Sequence, residues 1–467
     1  MKITFFGAAQ CVTGSKHLIQ TGGYNLLLDC GMYQGKREVA EKLNRNLPFS
    51  AKDIHAVILS HGHLDHCGTL PILVRDGFEG DIHCTDTTAD LAKCMLEDSG
   101  MLQEQIANDF NLHNPSGKQI IPLYTADDVK RVNEHFKPHP YFRTNHEWIA
   151  INENIRFKLY DAGHILGSEV ILLEIKEGGV MKTLAFTGDL GKEHVPILHA
   201  REYIEENVDT LIMECTYGNK NHRPISDATN ELKEVIKSIA HTKGKIIVPA
   251  FSLGRTQELI YLLHHLTDAH EIPSIPIYID SPLAQDFTEI FSHHQEDFND
   301  QVLKEFQATG TSPFAFKNLM YTHTVEESKT LNMKQGPLMV ISASGMSEGG
   351  RVLHHLKHSV SNPNNIILIT GYQAENTLGR RIKDGVSPVT ILGEEHEVRA
   401  RVVMLGELSA HADQASLLEY LAHTKEVQNL FLVHTEMPQA TIFQEIVQEQ
   451  YPGMKVTIPA MGESFEV

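Results

Sequence analysis

The stretch Ser60-His61-Gly62-His63-Leu64-Asp65-His66 closes an apolar run, Ala56-Val57-Ile58-Leu59, and places three imidazoles and a carboxylate side by side. No packed core fits between them. In an extended loop His61 and His63, two apart, point the same way and can share one metal ion. Asp65 and His66 lie past the next bend and can serve a second ion close by. Imidazole nitrogen and carboxylate oxygen suit zinc and related divalent ions. The bland alternative is a histidine-rich surface loop after a strand, because histidine is frequent here, 28 in 467 residues. The metal reading therefore needs further ligands from distant parts of the chain.

Those candidates sit at strand ends. Residues 155–160 read as a strand running into Gly163-His164, in a glycine-flanked turn of the kind that presents ligands. Residues 183–187 close on Gly188-Asp189-Leu190-Gly191, and 209–213 end in Glu214-Cys215-Thr216. Residues 401–405 lead to Ser409-Ala410-His411-Ala412-Asp413, with a helix from about Gln414, and 429–433 end at His434-Thr435-Glu436. Earlier, strands are expected over 2–6 and 24–28. The second ends in Asp29, a carboxylate that must find partners if buried and that reads as a group orienting the His loop, or else as an Asx turn. A short helix is expected over 67–75 and a longer one over 87–108, with Leu91, Met95 and Leu102 at helical spacing. His113, His135, His139 and His146 read as surface histidines.

Between about 225 and 395 the pattern changes. Strand-like runs at 245–248, 275–279, 338–341 and 366–369 alternate with helical ones, as in a parallel sheet with covering helices. The loops after them hold Ser252, Arg255, Ser344, Gln373 and Thr377. Such loops lie where parallel sheets bind ligands, and small residues with helix N-termini favour phosphate. No Walker loop is present. Ordinary tight βα turns explain each loop equally well. His264, His265, His293, His294, His354, His355 and His358 read as solvated faces. A strand over 455–458 is expected to return to the first domain's sheet.

Composition narrows the class. The hydrophobic fraction of 41% and charged fraction of 21% are ordinary for a globular chain of two or three domains. No run approaches the roughly 18 apolar residues of a membrane span, and Met1–Gly7 lacks a signal-peptide layout, so no membrane role and a cytoplasmic location are expected. The six cysteines show no CxxC pairing and read as reduced thiols. A net charge of −20 lacks the basic footprint of a nucleic-acid binder. A phosphate substrate would need bound cations to supply local positive charge.

Together these residues resemble the metallo-β-lactamase superfamily and, within it, the β-CASP nucleases. The pattern His-x-His-x-Asp-His stands as His61, His63, Asp65 and His66, continued by His164 and Asp189. The subgroup's additional motifs match Glu214, His411 and His434, and Gly254-Arg255-Thr256-Gln257-Glu258 looks similar too. The resemblance implies an α/β fold: an αββα sandwich from residues 1–208 and a C-terminal return, 397–467, with an inserted α/β β-CASP domain over 209–396. It implies two Zn2+ per chain, with His61, His63 and His164 on the first, Asp65, His66 and His434 on the second, and Asp189 bridging. It further implies hydrolysis of single-stranded RNA by a zinc-activated hydroxide, Asp65 orienting the nucleophile and His411 protonating the leaving oxygen beside Glu214. Ser252, Arg255, Ser344, Gln373 and Thr377 would be groove contacts. Thr435 and Asn376 depart from the pattern, standing where many relatives have glycine. Homo-oligomerisation is left open, as is endonuclease against 5′-exonuclease action. The rival readings are a small-molecule metallohydrolase of the lactamase or glyoxalase type, which the acidic balance favours, and a non-catalytic RNA-binding scaffold.

Overall fold

Strand Asn429–Val433 illustrates how the first of two units is built. Its side chains alternate between two buried faces: Leu430 and Leu432 join one apolar cluster, Phe431 and Val433 another. A strand apolar at every position has to be covered on both sides. The computed structural model of the chain describes residues 1–467 apart from Lys36, Ser116, Lys118, Tyr141, Phe142, Thr144, Asn145, His194 and Thr311.

The first unit comprises residues 1–195, 199–221 and 411–467. It contains two seven-stranded sheets. One is ordered Glu463–Glu466, Lys2–Phe5, His17–Thr21, Tyr24–Leu28, Ala56–Ile58, Asp81–Thr85, Phe136–His139. The other runs Lys455–Thr457, Asn429–Val433, Thr210–Glu214, Val180–Phe186, Glu169–Glu177, Ile155–Asp161, Ile149–Ala150. Ile3, Phe5, Leu26, Leu28 and Ile58 of the first sheet meet Phe157, Leu173, Phe186, Ile212 and Phe431 of the second in a shared core. Helices cover the outer faces. Leu70, Leu73, Ala92 and Leu96 pack on Leu27, Val57 and Ile82, while Leu417, Leu421, Phe443 and Val447 pack on Leu211, Met213, Leu430 and Leu432. The layers are αββα.

Several local expectations are corrected. The single helix over 67–75 is two, Leu64–Cys67 and Leu70–Arg75, because Thr69, at φ −108°, leaves the helical conformation, and Pro71 sits in the first turn of the second. The long helix runs from Asp86 to His113, capped by Thr85 accepting from the Thr88 amide, and Leu102 on it is exposed. His135, His139 and His146 are half-buried, their rings bonded to Gly80 O, His83 and Leu159 O. Strand Thr210–Glu214, expected in the inserted segment, pairs in parallel with both Val180–Phe186 and Asn429–Val433, so the units change over at 221/222 and 410/411. Strand Glu463–Glu466, too polar to read from sequence, pairs antiparallel with Lys2–Phe5.

The second unit, residues 196–198 and 222–410, holds a six-stranded sheet ordered Leu319–Tyr321, Ile277–Ile279, Leu338–Ser342, Lys245–Pro249, Ile366–Ile369, Arg401–Met404, every pair parallel. His355, expected on a solvated face, is buried. Its Nε2 lies 2.5 Å from Asp280 Oδ2 and its Nδ1 2.9 Å from Asn332 Oδ1. Asp280 also accepts from Arg351 Nη1 at 2.7 Å and from Ser328 and Thr322 hydroxyls, so the buried charge is fully partnered. All six cysteines are free thiols. Among the described residues no helix is long and apolar enough to cross a membrane.

Candidate metal centre

The first unit's second sheet explains why distant residues converge. Strands Val180–Phe186, Thr210–Glu214 and Asn429–Val433 are parallel neighbours, and Ile155–Asp161 runs in the same sense. Their carboxyl ends share one edge, and from it come Asp189, Glu214, His434 and His164. Ala56–Ile58, in the facing sheet, delivers the His loop. Two glycines permit the approach. A Cβ on Gly31 would lie 1.6 Å from Asp65 O, and one on Gly191 1.7 Å from Gly163 O, so any side chain would push the ligand loops apart.

Two groups of ligand atoms result. His61 Nε2 is 3.1 Å from His63 Nδ1 and 3.6 Å from Asp189 Oδ2, and His164 Nε2 is 3.4 Å from both His63 Nδ1 and Asp189 Oδ2. On the other side Asp189 Oδ1 is 3.4 Å from His66 Nε2 and 3.7 Å from His434 Nε2, which is 3.5 Å from Asp65 Oδ2. Atoms held about 2.0–2.1 Å from a tetrahedral ion stand roughly 3.3–3.4 Å apart. The separations around Asp189 are close to those of atoms that could share a cation.

The donor chemistry fits a cation. His66 Nε2, His434 Nε2 and Asp189 Oδ1 are buried without a hydrogen-bond partner. Burial pushes His61 and His164 well below their ordinary range and His63 to about 4, leaving neutral rings with lone pairs available. Burial also opposes charge on His66, yet Asp189 and Asp29 outweigh it and hold His66 well above its usual value. Asp65 and Asp189, against burial, are held below the carboxylate range by the surrounding histidines. The cluster thus calls for positive charge at its centre.

Supporting contacts fix the ligands. Asp29, with φ +59°, accepts from Ser60 N (2.8 Å), Ser60 Oγ (3.1 Å) and Ser15 Oγ (3.0 Å), and lies 2.6 Å from His66 Nδ1. Thr216 Oγ1 is 2.9 Å from His434 Nδ1. Beside the two groups, His411 Nδ1 is 2.9 Å from Glu214 Oε1, and its Nε2 is 4.0 Å from Asp189 Oδ2. Glu214 is buried and accepts from the Leu190 and Thr216 amides at 2.8 and 3.1 Å. Burial opposes the charge on His411, but Glu214 and then Asp189 raise it to about 9.

Three family domains match: the metallo-beta-lactamase superfamily over residues 12–149, the Beta-Casp domain over 256–382, and the Zn-dependent metallo-hydrolase RNA specificity domain over 395–459. Ribonuclease TTHA0252 of Thermus thermophilus is 34% identical over 467 residues, covering all of both chains. The chain belongs to the β-CASP group of the metallo-β-lactamase superfamily. Other relatives are an RNase J-like protein of Methanocaldococcus jannaschii, 30% identical over 94% of each chain, and that organism's transcription termination factor FttA, 29% identical over 97% of this chain and 69% of its own. A crystal structure of a protein of unknown function from Enterococcus faecalis shares the fold with a TM-score of 0.50 at 13% identity, over 100% of this chain and 99% of its own. Membership implies divalent-metal binding.

In this β-CASP chain the five expected groove residues gather at the carboxyl edge of the parallel sheet, each already engaged. Ser252 Oγ is 3.0 Å from Ser281 Oγ, Arg255 is buried in an ion pair with Glu258, and Gln373 Nε2 donates to Gly345 O at 3.0 Å. Thr377 caps helix Leu378–Lys383, and Ser344 Oγ accepts from the Glu348 amide at 3.1 Å. Ser347 Oγ and Thr370 Oγ1, at the same edge, are buried without a hydrogen-bond partner. Sequence reasoning assigned no role to Ser60 or Thr216. Their one signal is adjacency, Ser60 preceding the first ligand and Thr216 following Glu214 by two. Asn376 has φ +67° and His434 φ +50°, so the position of the Asn376 departure is one that favours glycine.

Proposed function

We propose that this chain is a cytoplasmic, metal-dependent ribonuclease that hydrolyses phosphodiester bonds of single-stranded RNA with two zinc ions per chain. The observation that carries the reading is Asp189, whose two oxygens divide between two ligand groups while His411 and Glu214 stand beside them. His61, His63 and His164 serve one ion, Asp65, His66 and His434 the other, and Asp189 both. Two dications, when bound, lower the pKa of a nearby water and neutralise charge building on phosphorus.

The chain's own residues do the rest. His411, protonated near neutrality and fixed through Nδ1 by Glu214, presents Nε2–H toward the ligand cluster and gives that proton to the leaving ribose oxygen. Asp65, whose Oδ2 lies 3.5 Å from His434 Nε2, would orient the attacking water. RNA is held by the second unit, where the unpaired hydroxyls of Ser347 and Thr370 join Ser252, Arg255, Ser344, Gln373 and Thr377 at the carboxyl edge of its sheet.

The test pairs metal analysis with cleavage of end-labelled RNAs. Two ions per chain and RNA cleavage are expected. His411→Ala should keep both ions and lose ~10²–10⁴-fold in rate. Internal fragments would mark an endonuclease, mononucleotides a 5′-exonuclease. A metal-loaded protein inert on RNA but active on thioesters would overturn the reading.

A further inference from the structure

Arg201 is a buried cation that no step of the chemistry above uses. Its side chain is 1% exposed, and its Nε is buried without a hydrogen-bond partner. Taking a guanidinium out of water is costly, and an apolar side chain of similar size would fill the space without that cost. The reason for the charge is therefore sought in what it holds. Nη1 donates to Gly191 O at 3.1 Å. Nη2 donates to Glu419 Oε2 at 2.8 Å and to Ser416 O at 3.4 Å, both on helix Gln414–His423. One rigid fork ties the loop after Asp189 to the helix after His411. The backbone of Arg201 is itself seated on the His164 turn: a Cβ on Gly163 would lie 2.7 Å from Arg201 N, and the Glu202 amide donates to Asp161 O at 2.8 Å.

Both ends of that tie lie close to the reacting groups. Gly191 is two residues past Asp189 and forms an antiparallel bridge with His411. The Leu190 amide donates to Glu214 Oε1 at 2.8 Å, Leu190 O accepts from the Ala412 amide at 2.7 Å, and the Gly191 amide donates to Ala162 O at 2.8 Å. The Gly191 carbonyl is the remaining polar group of these two residues, and Arg201 holds it. On the other side Asp413, two residues past His411, caps the helix by accepting from the Ser416 amide at 2.9 Å. We propose that Arg201 is a positioning residue for proton donation, fixing the backbone that carries His411 against the loop that carries Asp189. Glu214 sets which way the ring points, and Arg201 sets where the ring stands. His411 Nε2 is 4.0 Å from Asp189 Oδ2 in this arrangement. Arg201 acts through Gly191 and helix Gln414–His423 rather than by touching a ligand or the imidazole. The inference rests on the ribonuclease reading, in which His411 gives its proton to the leaving oxygen.

Arg201→Met keeps the bulk of the side chain and removes the fork. The full-length, zinc-loaded variant should retain both ions and lose ~10–100-fold in RNA cleavage, the cost of moving a catalytic group by about 1 Å. In a His411→Ala background the same change should cost nothing further, because the group it positions is gone. Bis(p-nitrophenyl) phosphate separates proton donation from the metal chemistry, since its phenolate leaves without a proton. Arg201→Met should turn over that diester at the wild-type rate. Its crystal structure should show His411 displaced from Asp189 with the metal ligands in place. Glu419→Gln, at the 39% exposed partner of the fork, should move each readout the same way by a smaller factor, and it carries the test if Arg201→Met fails to fold. Additive losses in the double variant, equal losses on both substrates, or an unmoved His411 would each overturn the proposal. A wild type inert on RNA would instead overturn the ribonuclease reading, and the crystal structure would still decide whether Arg201 holds His411 in place.

Discussion

Lys16 is buried beneath the metal loop, its ammonium donating to Gly31 O and lying 4.7 Å above the Tyr33 ring. Burial depresses it from 10.5 to about 8, only partly opposed by Cys30 and Cys11. The sign follows from proton counting. Below pH 8 both folded and unfolded chains carry the proton, and the folded state bears the full cost of a desolvated charge. Between about 8 and 10.5 the unfolded chain binds more protons than the folded one, so stability rises with pH. The drop from 10.5 to about 8 corresponds to about 3 kcal/mol. Lys16→Met removes this dependence, and Gly31 O keeps the Thr69 hydroxyl as a donor at 3.1 Å. Urea unfolding of both proteins, with chelator present throughout, should show wild type gaining about 3 kcal/mol on the variant across that window. Parallel stability curves for the two proteins would refute the account of Lys16 as a buried, depressed amine.

Three further outcomes are expected. Glu214→Gln removes the carboxylate that most raises His411, so the alkaline limb of the rate profile should move to lower pH. The rate at neutrality should fall ~10–100-fold with metal content unchanged. Thr216→Val deprives His434 Nδ1 of its partner and should weaken metal retention ~10–100-fold in chelator competition, with the fold intact by circular dichroism. Asp280→Asn should destabilise by about 3–5 kcal/mol in urea unfolding. His355, Ser328, Thr322 and Arg351 overcome burial to hold Asp280 below the carboxylate range, so its contribution is present above the unfolded pKa and wild type's advantage should shrink as pH falls below about 4.

The clustering of these His and Asp side chains was legible because each candidate ends an apolar run or sits in a glycine turn. Asp189 follows the strand that ends at Phe186, His434 follows Val433, and the His loop follows Leu59. Strand periodicity located the edges, and chemistry at the edges located the site. What escaped has a common cause: partners supplied by tertiary contact leave no local pattern. His355 looks like any helix-face histidine until Asp280 is brought beneath it from another strand. Thr216 is an unremarked hydroxyl until His434 arrives from 218 residues away. Glu463–Glu466 has no apolar alternation, and only pairing with Lys2–Phe5 makes it a strand. Helix Asp86–His113 misled for a different reason. Its apolar periodicity was read correctly as helical, but periodicity does not tell which side faces the core.

The parallel pairing of Asn429–Val433 with Thr210–Glu214 also sets an order of events in synthesis. The His loop, His164 and Asp189 emerge early and can begin to pack while translation continues. His411 and His434, the proposed proton donor and a proposed ligand, are made more than two hundred residues after the His loop, His164 and Asp189. The strand that carries His434 must insert beside a strand made more than two hundred residues earlier. The complete set of reactive groups therefore cannot exist on a half-made chain. A chain built to cut RNA would stay inert until the strand before His434 has been made and has paired with Thr210–Glu214.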